Sequence, residues 1–280
     1  MKRVLIVGAD SYIGCSFENY AQGRLDVYTV DARDDEWRKM DCSSFGSVLY
    51  VAGIAHRKQT KVNKELYFAV NRDLAVSVAQ KAKEQGVKQF IYLSSMAVYG
   101  VKTGEITERT VLAPPQSDYY GLSKYQAEEL LAPMQTQHFR VVLVRPPMVY
   151  GPGCKGKFQQ LIKIAQIAPL IPVIENKRSM IFIDNLCELL TITAELGISG
   201  ILCPQNEDYV CTSAMLAELS KTLGRKALSM PGFLVRMLLP FSKSLQSAFG
   251  SLYYSPQVYK MPFDQNYQKA GFIESIKKAL

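Results

Sequence analysis

The chain has 280 residues and a formal net charge of +8, with 48% hydrophobic and 21% charged residues. That length supports one large domain or two interlocked ones around a full core, and the composition is that of a soluble globular protein. Lysines and arginines are scattered, without a block of five like charges, which argues against a nucleic-acid interface. Six cysteines show no CxxC pair, and His56 and His138 are the whole imidazole supply. This argues against a disulfide framework and a metal site, and for a reducing compartment, the cytoplasm.

The chain opens MKRVLIVGAD. Its apolar run is too short for the core of a signal peptide and reads as a buried strand over residues 3–7. Further apolar runs predict strands at 27–30, 48–51, 89–94, 141–145 and 200–203. Helical patterns lie between them near 13–20, 65–85 and 120–131. The 65–85 helix meets a natural stop at Gly86. Alternation of this kind is the signature of an α/β Rossmann-type fold, a doubly wound parallel sheet covered on both faces. Past Pro146, Pro and Gly rise. Residues 154–174 read as loop and helix, and 178–183 as a strand leading into an Asp-started helix. The expected division is a nucleotide-binding domain at 1–146, with 180–203 returning to it. A smaller C-terminal substrate-binding lobe takes 147–179 and 204–280. No run of ~18 apolar residues occurs. Residues 233–249 come closest, but Arg236, Pro240, Ser242 and Lys243 interrupt them. They read as a packed amphipathic segment, so no membrane partner is expected.

The first strand runs into a turn with Gly8, Ser11 and Gly14. A dinucleotide fingerprint needs a tight turn, close backbone approach to the pyrophosphate and intimate helix–strand packing. Gly8 and Gly14 stand at the first and last glycine positions, and Ser11 replaces the middle one. Ser is small and offers its N–H at a helix start; Tyr12 and Ile13 complete that first turn. Asp31, seventeen residues past Gly14, is placed to bond an adenosine ribose diol and repel a 2′-phosphate, which favours NAD. Arg33 keeps NADP open, because it can meet that phosphate. Asp41 and Cys42 are placed at an adenine edge, and Ala52 and Gly53 are small enough for a cofactor to cross the sheet.

Tyr120 and Lys124 lie one helical turn apart, 25 residues beyond the Ser94–Ser95 pair. An ammonium beside a phenol favours the phenolate, lowering its pKa toward neutrality and making a general base. A serine hydroxyl at a preceding strand end can share the proton.

The glycine turn, Ala52-Gly53, LSSMAVYG, YGLSK, RPPMVYGPG and NKRSMIFIDNL, in this order, resemble the extended short-chain dehydrogenase/reductase family, in its nucleotide-sugar epimerase/dehydratase branch. The resemblance spans nearly the whole chain. It implies Ser95, Tyr120 and Lys124 as the catalytic set, with Ser94 packed against the cofactor. It implies Arg178 as a diphosphate clamp, and Lys157-Phe158 where relatives carry an Asn-hydrophobic pair that contacts the nucleotide. Met96 and Ala97 replace the acid pair of dehydratases, and Ala97 the cysteine of 3,5-epimerase/reductases. Met148 replaces an Asn of many 4-epimerases. What remains is NAD(P)-dependent reduction of a UDP-4-keto-6-deoxy-N-acetylhexosamine at carbon 4, with a UDP-hexose or UDP-N-acetylhexosamine 4-epimerase as the alternative. A non-catalytic NAD(P)-sensing relative is a third reading, opposed by the intact Ser95, Tyr120 and Lys124. Relatives pair through the 65–85 and 120–131 helices, which implies a homodimer.

Overall fold

The computed structural model describes residues 1–34, 36–55 and 57–280, with all their side chains except Leu234 and Lys243. His56 lies outside the described residues. Six strands, β1 (Lys2–Val7), β2 (Leu25–Val30), β3 (Ser47–Tyr50), β4 (Gln89–Leu93), β5 (Arg140–Val144) and β6 (Gly200–Leu202), form one sheet. Its spatial order is β6-β5-β4-β3-β1-β2, and every pairing is parallel.

Strand side chains alternate between the two faces, and the sheet is a wall between two cores. Val4, Ile6, Leu49, Ile91, Val142 and Val144 join one cluster. Leu5, Val7, Val48, Phe90, Val141 and Leu143 join the other. On the first face, α1 (Tyr12–Tyr20) packs against the helix Ile183–Leu196. The second face is covered by Ala75–Glu84 and Tyr119–Leu131, whose Ala75, Ala79, Ala82 and Ala127 let the backbones approach closely. Both faces must be covered because every residue of β3 and β4 is buried.

The predicted 65–85 helix is three pieces: Lys64–Phe68, a π-helical segment Ala69–Leu74, and Ala75–Glu84. Gly86, at φ 81°, turns the chain away after it. The 154–174 stretch contains a strand as well as the helix Lys157–Ile167: Leu170–Val173 pairs in parallel with Leu228–Pro231. The strand foreseen at 178–183 is Met180–Phe182, paired with Met148–Tyr150. Asp184 stands in the first turn of the next helix rather than before it, where its charge faces the positive helix end. Tyr150, Phe158, Tyr267 and Ile276 share a core with Val4 and Phe17, so packing is continuous between the sheet and the C-terminal segments.

Residues 233–249 differ from the packed segment expected. They form Phe233–Leu238, a 3₁₀ turn Leu239–Phe241, and Lys243–Phe249, and Phe233, Met237, Leu238 and Phe241 are exposed. Pro240 prevents a single long helix, and pieces of six and seven residues are too short to turn every apolar side chain toward the core. Among the described residues, no helix is long and apolar enough to cross a membrane.

Candidate active site

Strand order reverses between β1 and β3, and in open parallel sheets ligands bind in the crevice at the carboxyl ends of strands beside such a switch. Gly8 ends β1 there, at φ 129°, and a Cβ on it would stand 2.6 Å from the Ala52 nitrogen. The following turn holds Asp10 at φ 61°. Ser11 caps α1: its Oγ accepts from Gly14 N–H at 3.0 Å, while its own N–H is engaged by Gly8 O at 3.3 Å. The amides of Tyr12 and Ile13 start the helix without a hydrogen-bond partner among the described residues, so phosphate-facing N–H groups come from these positions rather than from Ser11. The Tyr12 side chain points the other way, its hydroxyl buried without a partner close behind Gly151. Glycine at Gly8, two free helix-start amides and the small Ala52 and Gly53 fit a dinucleotide's pyrophosphate.

Asp31 follows β2, and Arg33 donates to it from Nε at 2.9 Å and from its backbone N–H at 2.9 Å. The Arg33 side chain holds that carboxyl down to about 2, and the guanidinium also reaches Asp10 at 2.7 Å. A ribose diol would therefore share Asp31 with Arg33, and a 2′-phosphate would have to draw Arg33 away. Asp41 accepts from Ser43 N–H at 2.8 Å. Cys42 is buried, and its N–H donates to Gln85 Oε1 at 2.7 Å.

At the carboxyl end of β4 stand Ser94 and Ser95. Ser94 is buried and donates to Glu128, whose carboxylate is forked by Arg145 Nε at 3.0 and 3.1 Å. Ser95 is the cap of the 3₁₀ turn Met96–Tyr99, its Oγ accepting from Ala97 N–H at 3.2 Å. The helix Tyr119–Leu131 carries Tyr120 and Lys124 to the same end. Burial pushes the Tyr120 phenol above its ordinary value; a hydrogen bond with Ser95 pulls it back, and the Asp118 charge adds to the rise. Lys124 donates to Leu93 O at 2.7 Å and lies 4.6 Å from the centre of the Tyr92 ring. Burial brings its ammonium down to about 7, against an upward pull from Glu128. The phenol depression expected from the Tyr–Lys spacing thus gives way to burial, which opposes both charges at once.

Sequence reasoning passes over Asn71. It sits in the π-helical segment, fully buried, bonding Ser123 Oγ at 3.0 Å and clamping Ile54 through N–H and C=O at 2.9 and 3.2 Å. It fixes the Gly53–Ile54 loop beside Lys124. In the sequence it is one polar residue beside Arg72 and Asp73, and the widened turn that aims it inward is invisible in the pattern.

A cavity of about 280 Å³ opens between Lys157–Ile167, Met180 and Lys243–Phe249, with Met148, Lys157 and Arg178 in its wall. Pro146, two residues before Met148, accepts from Met96 N–H at 2.9 Å. Arg178 donates to Gly250 O at 2.8 Å and Lys157 to Ser247 Oγ at 2.9 Å. Burial lowers both pKa values, and Arg178 lowers that of Lys157 further. Two cations sharing one hollow favour an anion between them. Phe158 is fully buried against the Tyr150 ring, at 5.1 Å, and so supports the helix instead of lining the cavity. Among the described residues, no group of three or more His, Cys, Asp or Glu converges as a metal site.

The sequence pattern of the NAD dependent epimerase/dehydratase family matches residues 4–201. A UDP-glucose 4-epimerase of Vibrio cholerae is 32% identical over 200 residues, which are 66% of this chain and 59% of that protein. An N-acetyl-alpha-D-glucosaminyl-diphospho-ditrans,octacis-undecaprenol 4-epimerase of Escherichia coli O157:H7 is 25% identical over 81% of this chain and 74% of its own. A solved dTDP-4-dehydrorhamnose reductase of Bacillus anthracis, in complex with NADP, matches with a TM-score of 0.72 at 17% identity, covering 100% of this chain and 98% of that one, and so shares the fold. With the family's pattern running from β1 into β6 over a glycine-lined crevice at the strand switch, the chain belongs to the NAD-dependent epimerase/dehydratase family.

Proposed function

We propose that this protein carries out hydride chemistry at carbon 4 of a UDP-linked sugar, as the NAD(P)-dependent reductase of a UDP-4-keto-6-deoxy-N-acetylhexosamine. The observation that carries this reading is the half-buried Tyr120, brought by its helix to the end of β4 beside Ser95 and one turn from Lys124, its phenol pushed above its ordinary value by desolvation. Turning a ketone into an alcohol requires a proton at its oxygen, and such a phenol is loaded with one at neutral pH. The Ser95 hydroxyl holds the same oxygen. Bound in the crevice, the nicotinamide cofactor would supply the hydride that the carbonyl carbon receives. Tyr120 then recovers its proton from solvent, which balances the step. Lys124, on the phenol's own helix, reaches beside Gly53 to hold the cofactor's ribose. The pyrophosphate is assigned to the amides of Tyr12 and Ile13, in the turn that Gly8, Ser11 and Gly14 shape, and the adenosine ribose to Asp31. Lys157 and Arg178 take the sugar's diphosphate, and the apolar Met148 suits a 6-deoxy carbon better than a hydroxymethyl group.

A second reading, 4-epimerisation, is favoured by the names of the Vibrio and Escherichia relatives. The two part on cofactor use. Incubation with the 4-keto-6-deoxy sugar nucleotide should oxidise NADH or NADPH mole for mole and yield a 6-deoxy alcohol. Interconversion of UDP-N-acetylhexosamines without added cofactor, and no oxidation with the keto sugar, would replace the reductase by the epimerase.

A further inference from the structure

Nine of the nineteen strongly exposed large apolar side chains among the described residues fall within two short stretches, 164–173 and 228–241. They are brought together by the fold. Ile164 and Ile167 share one face of the helix Lys157–Ile167. The strand that follows pairs Leu170 with Leu228, so both side chains stand on one side of a two-stranded ribbon. Gly232 packs against Val173 O at the ribbon's end and starts the helix that carries Phe233 and Met237. The exposures are 75% for Ile167, 68% for Leu228, 60% for Phe233 and 87% for Phe241. Monomeric proteins rarely leave so continuous an apolar face uncovered.

The charge around this face is predominantly positive. Between Glu218 and Asp264 the sequence has six lysines and arginines and no acid, and Arg225, Lys226 and Arg236 are exposed. Lys163 is exposed on the helix beside Ile164 and Ile167. Glu175, beyond Val173, is the one carboxylate between Cys154 and Arg178. Apolar residues edged by cations, on short helices too small to span a bilayer, are what an anionic lipid surface binds. Ile164 belongs both to this face and to the wall of the Lys157–Arg178 cavity, so the cavity mouth adjoins the patch.

We propose that this face docks the protein on an anionic bilayer, with the cation-lined cavity opening at the membrane surface. The proposal stands apart from the direction of the carbon-4 chemistry. It runs against the expectation that the protein has no membrane partner.

The test is flotation of the full chain with phosphatidylcholine vesicles, with and without phosphatidylglycerol. The expected result is binding that requires phosphatidylglycerol and weakens with salt as the Debye length shortens. Replacing both Phe233 and Phe241 by Ser should weaken it at least about tenfold, since each ring leaves water on docking. An independent variant, Arg225→Glu with Lys226→Glu, should do the same without touching the apolar face, and both variants should keep wild-type turnover of a water-soluble sugar nucleotide. No partition into either vesicle, or equal partition into both that the variants leave unchanged, would overturn the proposal. So would concentration-dependent self-association that the phenylalanine substitutions abolish in the absence of vesicle binding, because a second copy would then cover the face.

Discussion

At the scale of single residues, the site turns on what burial does to two titratable groups of opposite type. Tyr120 is pushed up and Lys124 down, so at neutral pH the ligand-free site holds its proton on the phenol. Tyr120→Phe removes that proton and leaves the ring's packing. Turnover should fall roughly 100- to 10,000-fold while cofactor and UDP binding, read by calorimetry, stay within about twofold; more than a third of wild-type activity would sink the assignment. Lys124 carries a pH signature of its own. Its ammonium titrates near 7 in the folded chain and near 10.4 in an unfolded one. Between those values the unfolded state binds the extra proton, so this group adds stability as pH rises, at up to about 1.4 kcal/mol per unit. Lys124→Met should flatten the rise in denaturant stability between about pH 7 and 10, and parallel curves for the two proteins would show that Lys124 is not buried in this way.

At the scale of elements, the turn between β1 and α1 decides whether a cofactor can lie on the strand ends. Gly8 is held there by two constraints together: φ 129°, and an approach that would leave a Cβ 2.6 Å from the Ala52 nitrogen. Neither neighbour can give way, because Ala52 N–H is bonded to Val7 O at 3.0 Å within the sheet. Gly8→Ala should cost more than about 2 kcal/mol, the range of backbone strain plus overpacking, and abolish dinucleotide binding. Gly23→Ala is the matched control, with φ 79° but open space around the new methyl; it should lose less stability and keep the cofactor. Equal melting-temperature losses for the two would mean that the contact with Ala52 contributes nothing.

At the scale of the whole molecule, the two helical segments on the second face of the sheet, ending at Glu84 and Leu131, pack on each other and on β3 and β4. Phe68 and Val78 of these segments are buried within the one chain. Leu66 and Leu130 remain exposed, at 42% and 48%, and are the positions from which a two-fold four-helix contact would be built. The expected state is a homodimer at micromolar concentration by light scattering, and Leu66→Glu with Leu130→Glu should return it to the monomer; a wild-type protein of monomeric mass would contradict it.

The positions of the six sheet strands are readable from the chain to within one or two residues, because in a doubly covered parallel sheet the inner strands are dense apolar runs closed by turns. The glycine turn and the Tyr120–Lys124 pair are equally local, since their meaning lies in spacings of three to six residues. Other features depend on contacts between distant segments, which periodicity does not encode. The π-helical segment that aims Asn71, the pairing of Leu170–Val173 with Leu228–Pro231 and the exposure of Phe233–Phe241 are of this kind. Cys42 reads as a site residue by position, yet its amide donates to Gln85, which caps the helix Ala75–Glu84. Tyr120 and Lys124 show the same division most plainly. Their spacing alone predicts mutual stabilisation of two charges; the tertiary structure half-buries the phenol, buries the ammonium and directs it to the Leu93 carbonyl, and desolvation then disfavours both charged forms.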